Sequence, residues 1–179
     1  MVLLNGVGSA GKSSIAKALQ AIASEPFLHV EMDGFLRMLP EASFGRPEGL
    51  TFETVHEDGR PSVVIRTGKV AARVFRGMRH AIAAMAAQGN DLIVDDVLVG
   101  SGRAEYAEIL SPFEVFLVGV FAPLDVLEAR ERERGDRMIG LARWQYERVH
   151  EGMTYDFSVD TSRASVAECA RMIKERFGL

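Results

Sequence analysis

Near the start of the chain, Gly6-Val7-Gly8-Ser9-Ala10-Gly11-Lys12-Ser13 fits G-x-x-x-x-G-K-[ST] at every fixed position and follows the apolar run Val2-Leu3-Leu4. Glycines at both ends let such a loop turn tightly and aim successive N–H groups inward, so a polyphosphate can be cradled at the N-terminus of the next helix. Lys12 is expected to reach the β- and γ-phosphates and Ser13 to offer a hydroxyl to Mg2+, with Val7, Ser9, Ala10 and Ser14 completing the nucleotide loop. An ordinary glycine-rich turn is the alternative. The strand before the motif and the apolar helical face after it (Ile15, Ala16, Leu19, Ile22, Ala23) speak against that.

Three further groups could join this chemistry. Asp33 falls where a second strand ends and a short helix begins, at the carboxyl edge of the sheet, where open α/β sheets bind ligands. A helix N-cap is an equally ordinary job for an aspartate there, and the two do not exclude each other. Asp95 and Asp96 end the apolar run Leu92-Ile93-Val94. Acids at the end of a buried strand need partners, such as a hydrated magnesium ion or a substrate hydroxyl; a helix cap or an ion pair would also serve. The arginines Arg130, Arg132, Arg134, Arg137, Arg143 and Arg148 are interleaved with Glu128, Glu131, Glu133 and Asp136. Mixed charges of this kind often mark a solvated helix face. Breaks at Gly135-Asp136 and Gly140 favour a mobile lid over 130–150, with Arg134 and Arg137 flanking the hinge and closing over a polyphosphate.

The elements that must position these groups alternate along the chain. Strands are expected at 2–5, 27–32, 92–97, 115–121 and 157–160, and helices at 12–24, 34–39, 70–87 and 124–134. A terminal helix presents Val166, Cys169, Ala170, Ile173 and Phe177 on one stripe. In the helix at 70–87, Val74, Met78, Ile82, Met85 and Ala86 form another, with methionine as a core filler. Between 40 and 67 the pattern breaks at Pro40, Pro47 and Pro61, and a β-hairpin of 51–55 with 62–66, joined through 57–60, fits there. It reads as an insertion over the substrate site, a surface excursion being the alternative. One domain over 1–179 is expected, without repeats or linkers.

The bulk properties exclude other classes. A net charge of −4 in 179 residues and a pI near 5.6 argue against a basic nucleic-acid footprint or a polybasic membrane surface. A lone cysteine, Cys169, excludes an internal disulfide framework and fits a reducing cytoplasm. Neither a signal peptide nor a membrane-spanning run is indicated. His29, His56, His80 and His150 show no metal-ligand spacing, and no G-x-S-x-G elbow or Cys–His arrangement supports covalent catalysis.

Leu4-Asn5-Gly6, Ser9 to Ser14, Asp33, Asp95-Asp96-Val97, Gly135-Asp136-Arg137, His150-Glu151-Gly152, Tyr155-Asp156 and Val159-Asp160-Thr161 occur in one order. Together they resemble the chloramphenicol phosphotransferase family over nearly the full length. That resemblance implies a P-loop NTPase fold like that of nucleoside monophosphate kinases, a five-stranded parallel sheet in the order 2-3-1-4-5 with helices on both faces. It implies transfer of the ATP γ-phosphate, with Mg2+, to a hydroxyl of a small molecule, in the family a primary hydroxyl of the antibiotic. By matching position Asp33 is the base, Arg134 and Arg137 are lid arginines, and Asp160 and Thr161 lie in the loop near adenine; Arg130, from the same arginine run, is expected among the nucleotide-binding residues. The segment 40–67 does not align convincingly with the antibiotic enzyme, which leaves the acceptor open. A kinase of another metabolite or nucleotide sugar is the enzymatic alternative, and a homo-oligomer is compatible with it. A nucleotide-dependent switch is the other class, against which Asp33 and the absence of an N-K-x-D motif both speak.

Overall fold

A computed structural model describes every residue except Asp58, Ser101, Asp136 and Arg137. In chain order the strands are β1 (Val2–Asn5), β2 (Phe27–Glu31), β3 (Leu50–Glu57), β4 (Arg60–Thr67), β5 (Asp91–Asp96), β6 (Phe116–Phe121) and β7 (Phe157–Asp160). Five of them form one parallel sheet in the order β2-β5-β1-β6-β7, which is 2-3-1-4-5 when only these five are numbered. The expected order is therefore the observed one. The helices are α1 (Lys12–Ile22), α2 (Met32–Leu36), α3 (Lys69–Ala87), α4 (Gly102–Ile109), α5 (Leu124–Arg134), α6 (Leu141–Val149) and α7 (Val166–Phe177).

Both faces of the sheet are covered, which is why its strands read as continuous apolar runs rather than alternating ones. Val2 and Leu4 of β1 point to one side, into a core with Ile15 and Leu19 of α1 and Ile173 of α7. Leu3 points to the other, with Leu92 and Val94 of β5 and Met78 and Ile82 of α3. Met78 and Ile82 are fully buried, so truncating either to alanine is expected to cost about 2–5 kcal/mol.

Several boundaries differ from the pattern reading. Helix α1 stops at Ile22, where Ala23 turns extended ahead of Pro26. Strand β2 ends at Glu31 and α2 starts at Met32, so Asp33 lies inside the first turn while Glu31 occupies the N-cap position. Asp33 is thus not the cap. Helix α4 had no counterpart in the sequence reading: it buries only Gly102 and Tyr106, and eight residues with two inward positions carry almost no periodic signal. At the start of α7, Val166 is exposed, because the Ser165–Glu168 capping box opens the helix there and the buried stripe begins at Cys169.

The segment 40–67 contains a hairpin, longer than expected, with β3 and β4 paired from Leu50↔Thr67 to Glu57↔Arg60. It docks on the region expected to be a lid. Val63 donates its N–H to the Gly140 carbonyl at 2.9 Å, and Val63 and Ser62 are fully buried. Gly140 has φ +100°, and a Cβ there would lie 2.6 Å from the Pro61 carbonyl oxygen, so no other residue fits between α6 and the hairpin.

The described residues of the charged run, Glu128, Glu131 and Arg143 among them, are also more tightly tied than a solvated face. Glu131 is 3% exposed and accepts from the N–H groups of Gly140 and Ala142, both at 2.8 Å, so a side chain of α5 caps α6. Arg143 pairs back onto Glu128, joining the two helices a second time. Among the described residues, no helix is long and apolar enough to cross a membrane.

Candidate active site

The loop leaving β1 is held tightly against the sheet. A Cβ on Gly6 would sit 2.4 Å from the Val120 carbonyl oxygen of β6, so the first glycine of the motif is required by this close approach. Ser9 holds φ +66°, a left-handed conformation rare for a residue with a side chain and typical of ligand-binding loops. Among the described residues, no side chain caps α1 at Gly11, which leaves its first N–H groups to a ligand. Lys12 is almost fully buried, and its Nζ donates to the carbonyls of Gly6 at 2.8 Å and Val7 at 3.0 Å. The ammonium thus lies inside the curve of the loop, where a phosphate would meet it. Val7 and Ala10, by contrast, are buried in the core, so only their backbone can face a nucleotide.

Asp95 and Asp96 are adjacent, yet their surroundings differ. Asp95 accepts from His29 Nε2 at 2.7 Å and interacts with the Ser13 hydroxyl. Burial pushes its carboxyl up, but those hydrogen bonds and the charge of Lys12 outweigh it and hold the group below the usual carboxylate range. Asp96 is completely enclosed, and burial raises it despite its hydrogen bonds. Its Oδ1 accepts from Val97 N at 2.7 Å and its Oδ2 from the Tyr106 hydroxyl at 2.9 Å, while Arg79 lies over the Tyr106 ring. One acid faces the phosphate loop; the other is tied into the wall behind it.

Asp33 and Arg134 line the same cleft as Lys12, Ser13 and Asp95, a space of about 540 Å3 open to solvent. Arg137 lies outside the described residues. Arg130 and Thr161 meet differently: the guanidinium donates to the Thr161 hydroxyl at 2.8 Å and its carbonyl at 2.9 Å, and the hydroxyl donates to the Ala10 carbonyl at 3.0 Å. They brace the outer side of the loop rather than line the cleft. Asp160 accepts from the backbone and hydroxyl of Ser162 and is lowered chiefly by them.

Several residues of the site carried no local signal. Gln145, on α6, accepts the N–H of Gly8 through its Oε1 at 2.7 Å. His29 sits between Asp95 and Glu31, whose carboxylate is 3.7 Å from Nδ1; the three could hold a metal, although sequence spacing offered no such set. They come from two neighbouring strands, which a search for short motifs cannot pair. Asn5 is fully buried and knits the site together: its Nδ2 donates to the Val149 carbonyl and the Tyr155 hydroxyl, and its Oδ1 accepts from Leu98 N. The Tyr155 hydroxyl in turn lies 2.6 Å from His150 Nδ1. With Asn5 donating to its oxygen, the Tyr155 hydroxyl keeps its own proton to offer, and a neutral His150 can accept it at Nδ1. Burial accordingly lowers His150 to about 4. The late His-Glu-Gly…Tyr-Asp block is thus a brace behind the phosphate loop.

The sequence is 34% identical over 185 residues to proteins of two Mycobacterium tuberculosis strains, CDC 1551 and H37Rv, whose O-phosphotransferase designation is provisional; the match covers 99% of this chain and 81% of theirs. In fold it is similar to a sugar kinase of Janibacter sp. HTCC2649, with a TM-score of 0.69 and 18% identity over 99% of this chain and 93% of that one. It is also similar to the Deinococcus radiodurans tunicamycin resistance protein, with a TM-score of 0.67 and 18% identity over 99% and 95%. The profile of the chloramphenicol phosphotransferase-like proteins matches residues 1–178. The match spans nearly the whole chain, and the chain belongs to the chloramphenicol phosphotransferase-like family.

Proposed function

We propose that this chain is an ATP-dependent O-phosphotransferase that moves the γ-phosphoryl group to a hydroxyl of a small molecule. The observation that supports it is one cleft lined by Lys12, Ser13, Asp95, Arg134 and Asp33, which brings the phosphate loop and an acid for the acceptor to the same space. The acceptor hydroxyl binds beside Asp33, which orients it and takes its proton as the new O–P bond forms and the bond to ADP breaks. Lys12 and Arg134, joined by Arg137, balance charge on the transferring group, and α5 and α6 keep out water that would hydrolyse ATP.

The donors also suit Mg2+. Ser13 and Asp95 offer hard oxygen atoms side by side, and Asp95 is held ionised. Bound there with the nucleotide, the ion would neutralise negative charge on the phosphates. Asp96 has both oxygens engaged by the protein, so Asp95 is the one assigned to the metal.

The acceptor we assign first is chloramphenicol or a related amino-diol, in a single phosphotransferase unit that works in the cytoplasm. Met32 and Asp33 of α2 line the acceptor side, the hairpin β3–β4 is assigned to it as the insertion that shapes acceptor choice, and pocket shape there decides among hydroxylated molecules. The test is a panel: the protein, ATP and Mg2+ are incubated with hydroxylated antibiotics, sugars and nucleotide sugars, and products are read by mass spectrometry. A gain of one phosphoryl group on an amino-diol is expected. Phosphorylation of a sugar instead replaces the acceptor while keeping the chemistry, and no gain on any acceptor together with no ATP turnover removes the kinase reading.

A further inference from the structure

Gly8 N can only donate, so its 2.7 Å contact with Gln145 settles which end of the carboxamide is oxygen. The Nε2 end therefore faces away from Gly8. Gln145 is 4% exposed and borders the cleft with Lys12, Asp33 and Arg134, and among the described residues no group accepts from Nε2. Its Nε2 is not among the buried unpaired polar atoms of the described residues, so the NH2 opens onto the cleft, where a ligand can accept from it. Its setting is rigid, because α6 is capped by Glu131, paired through Arg143 to α5 and tied at Gly140 to the hairpin.

Gly8 carries a matching mark. It is not among the residues with positive φ, so its backbone does not demand glycine. A Cβ there would instead approach Gln145 Oε1 to 3.2 Å, closer than such contacts normally allow. The glycine makes room for the carboxamide. With Oε1 seated on a loop N–H, Nε2 lies one amide width away, next to whatever phosphate the loop cradles.

We infer that Gln145 contacts the nucleotide: its NH2 donates to the terminal phosphoryl group of a bound nucleoside triphosphate, while its carbonyl holds Gly8 in place. This rests on the kinase reading above and adds a donor on the acceptor-facing side of the loop. Terminal phosphoryl charge is spread over three equatorial oxygens during transfer, and a fixed neutral donor there stabilises it without reorganising.

Two variants separate this from a merely structural tie. Gln145→Glu keeps an acceptor for Gly8 and loses the donors; Gln145→Met loses both without adding charge. Calorimetry with ADP and with the non-hydrolysable β,γ-imido analogue of ATP reads the contact directly, since only the analogue carries a terminal phosphoryl group. Both variants should keep ADP affinity within about twofold and lose about 10- to 100-fold for the analogue, the size of one hydrogen bond to a charged group. Wild-type analogue affinity in Gln145→Met overturns the inference, whatever Gln145→Glu does. Equal loss of both nucleotides also overturns it, reducing Gln145 to a support of loop shape. Should Gln145→Met fail to fold, Gln145→Glu decides, and unchanged analogue affinity there overturns the contact. Wild-type protein that binds neither nucleotide removes the kinase reading itself, a result distinct from all of these.

Discussion

On the phosphate side of the cleft, the loop 6–13 and the end of β5 are set into the middle of the sheet, with Gly6 against β6 and Asp95 wedged between His29 and Ser13. On the side proposed for the acceptor, α2 buries no residue completely, and the hairpin β3–β4 exposes much of both strands and docks on α6, with Arg60 reaching Glu128 of α5. Central parallel strands are braced by neighbours on both sides and tolerate little change. A two-stranded arm docked at one end can vary in length and sequence at small cost. On the proposed assignment, the chemistry sits on the part of the fold that cannot drift, and acceptor choice on the part that can.

If the two sides are separate in this way, their variants should fail separately. The largest effect is expected from Asp33→Asn, which keeps size but loses the proton acceptor: kcat should fall about 10²- to 10⁴-fold with nucleotide affinity unchanged. Turnover and calorimetric ATP affinity measured on one preparation check this, and loss of both together would break the division. Next, Lys12→Ala should lower turnover on the order of 10²- to 10³-fold and weaken ATP binding as well, because its ammonium lies within the loop's curve. A folded variant with wild-type nucleotide affinity would discard the loop assignment.

The adjacent acids sharpen the comparison within the phosphate side. Asp95→Asn should raise the Mg2+ concentration needed for half-maximal activity by about 10- to 100-fold and also cost stability, since it loses the charge that His29 and Lys12 favour. Asp96→Asn should cost about 1–3 kcal/mol by disturbing its contacts with Val97 and Tyr106, with little change in metal requirement. Titrating Mg2+ and melting both variants side by side is sufficient; identical behaviour would show that their different surroundings do not matter.

The smallest effect concerns the brace behind the loop. His150 is lowered to about 4 in the folded protein, so on acidification the unfolded chain takes up the proton first. Stability from the neutral ring is complete above about pH 6.5, declines as pH falls from there to about 4, and is gone below. The melting temperature should drop between pH 7 and pH 5, and by less in His150→Gln. An equal drop in both proteins would assign the acid sensitivity elsewhere.

How much of this was legible beforehand follows from distance along the chain. The phosphate loop carries its glycines, lysine and serine within eight residues, so spacing alone identifies it. Strand and helix alternation also reads locally, and the limits of α5 and β7 came out at the expected residues. Asp95 stood out because it ends the apolar run Leu92-Ile93-Val94, and Asp33 because it follows a strand, although it lies inside the first turn of α2. The sheet order was implied by the family resemblance rather than by periodicity, which cannot choose between neighbours. Helix α4 stayed hidden because only two of its residues are buried.

What the sequence by itself determined, then, is the set of groups written in short runs: a loop that turns, a lysine and serine within it, and acids at strand ends. Only the tertiary structure decided the partners. Gln145 meets Gly8 across 137 residues, His29 meets Asp95 across 66, and Asn5 meets Tyr155 across 150. It also turned Glu131 from one charge among many into a buried cap, and made Asp95 and Asp96 unlike although they are neighbours. The reason is physical: propensity and periodicity act over one turn or one pleat, whereas burial and hydrogen-bond satisfaction depend on whichever distant segment packs alongside.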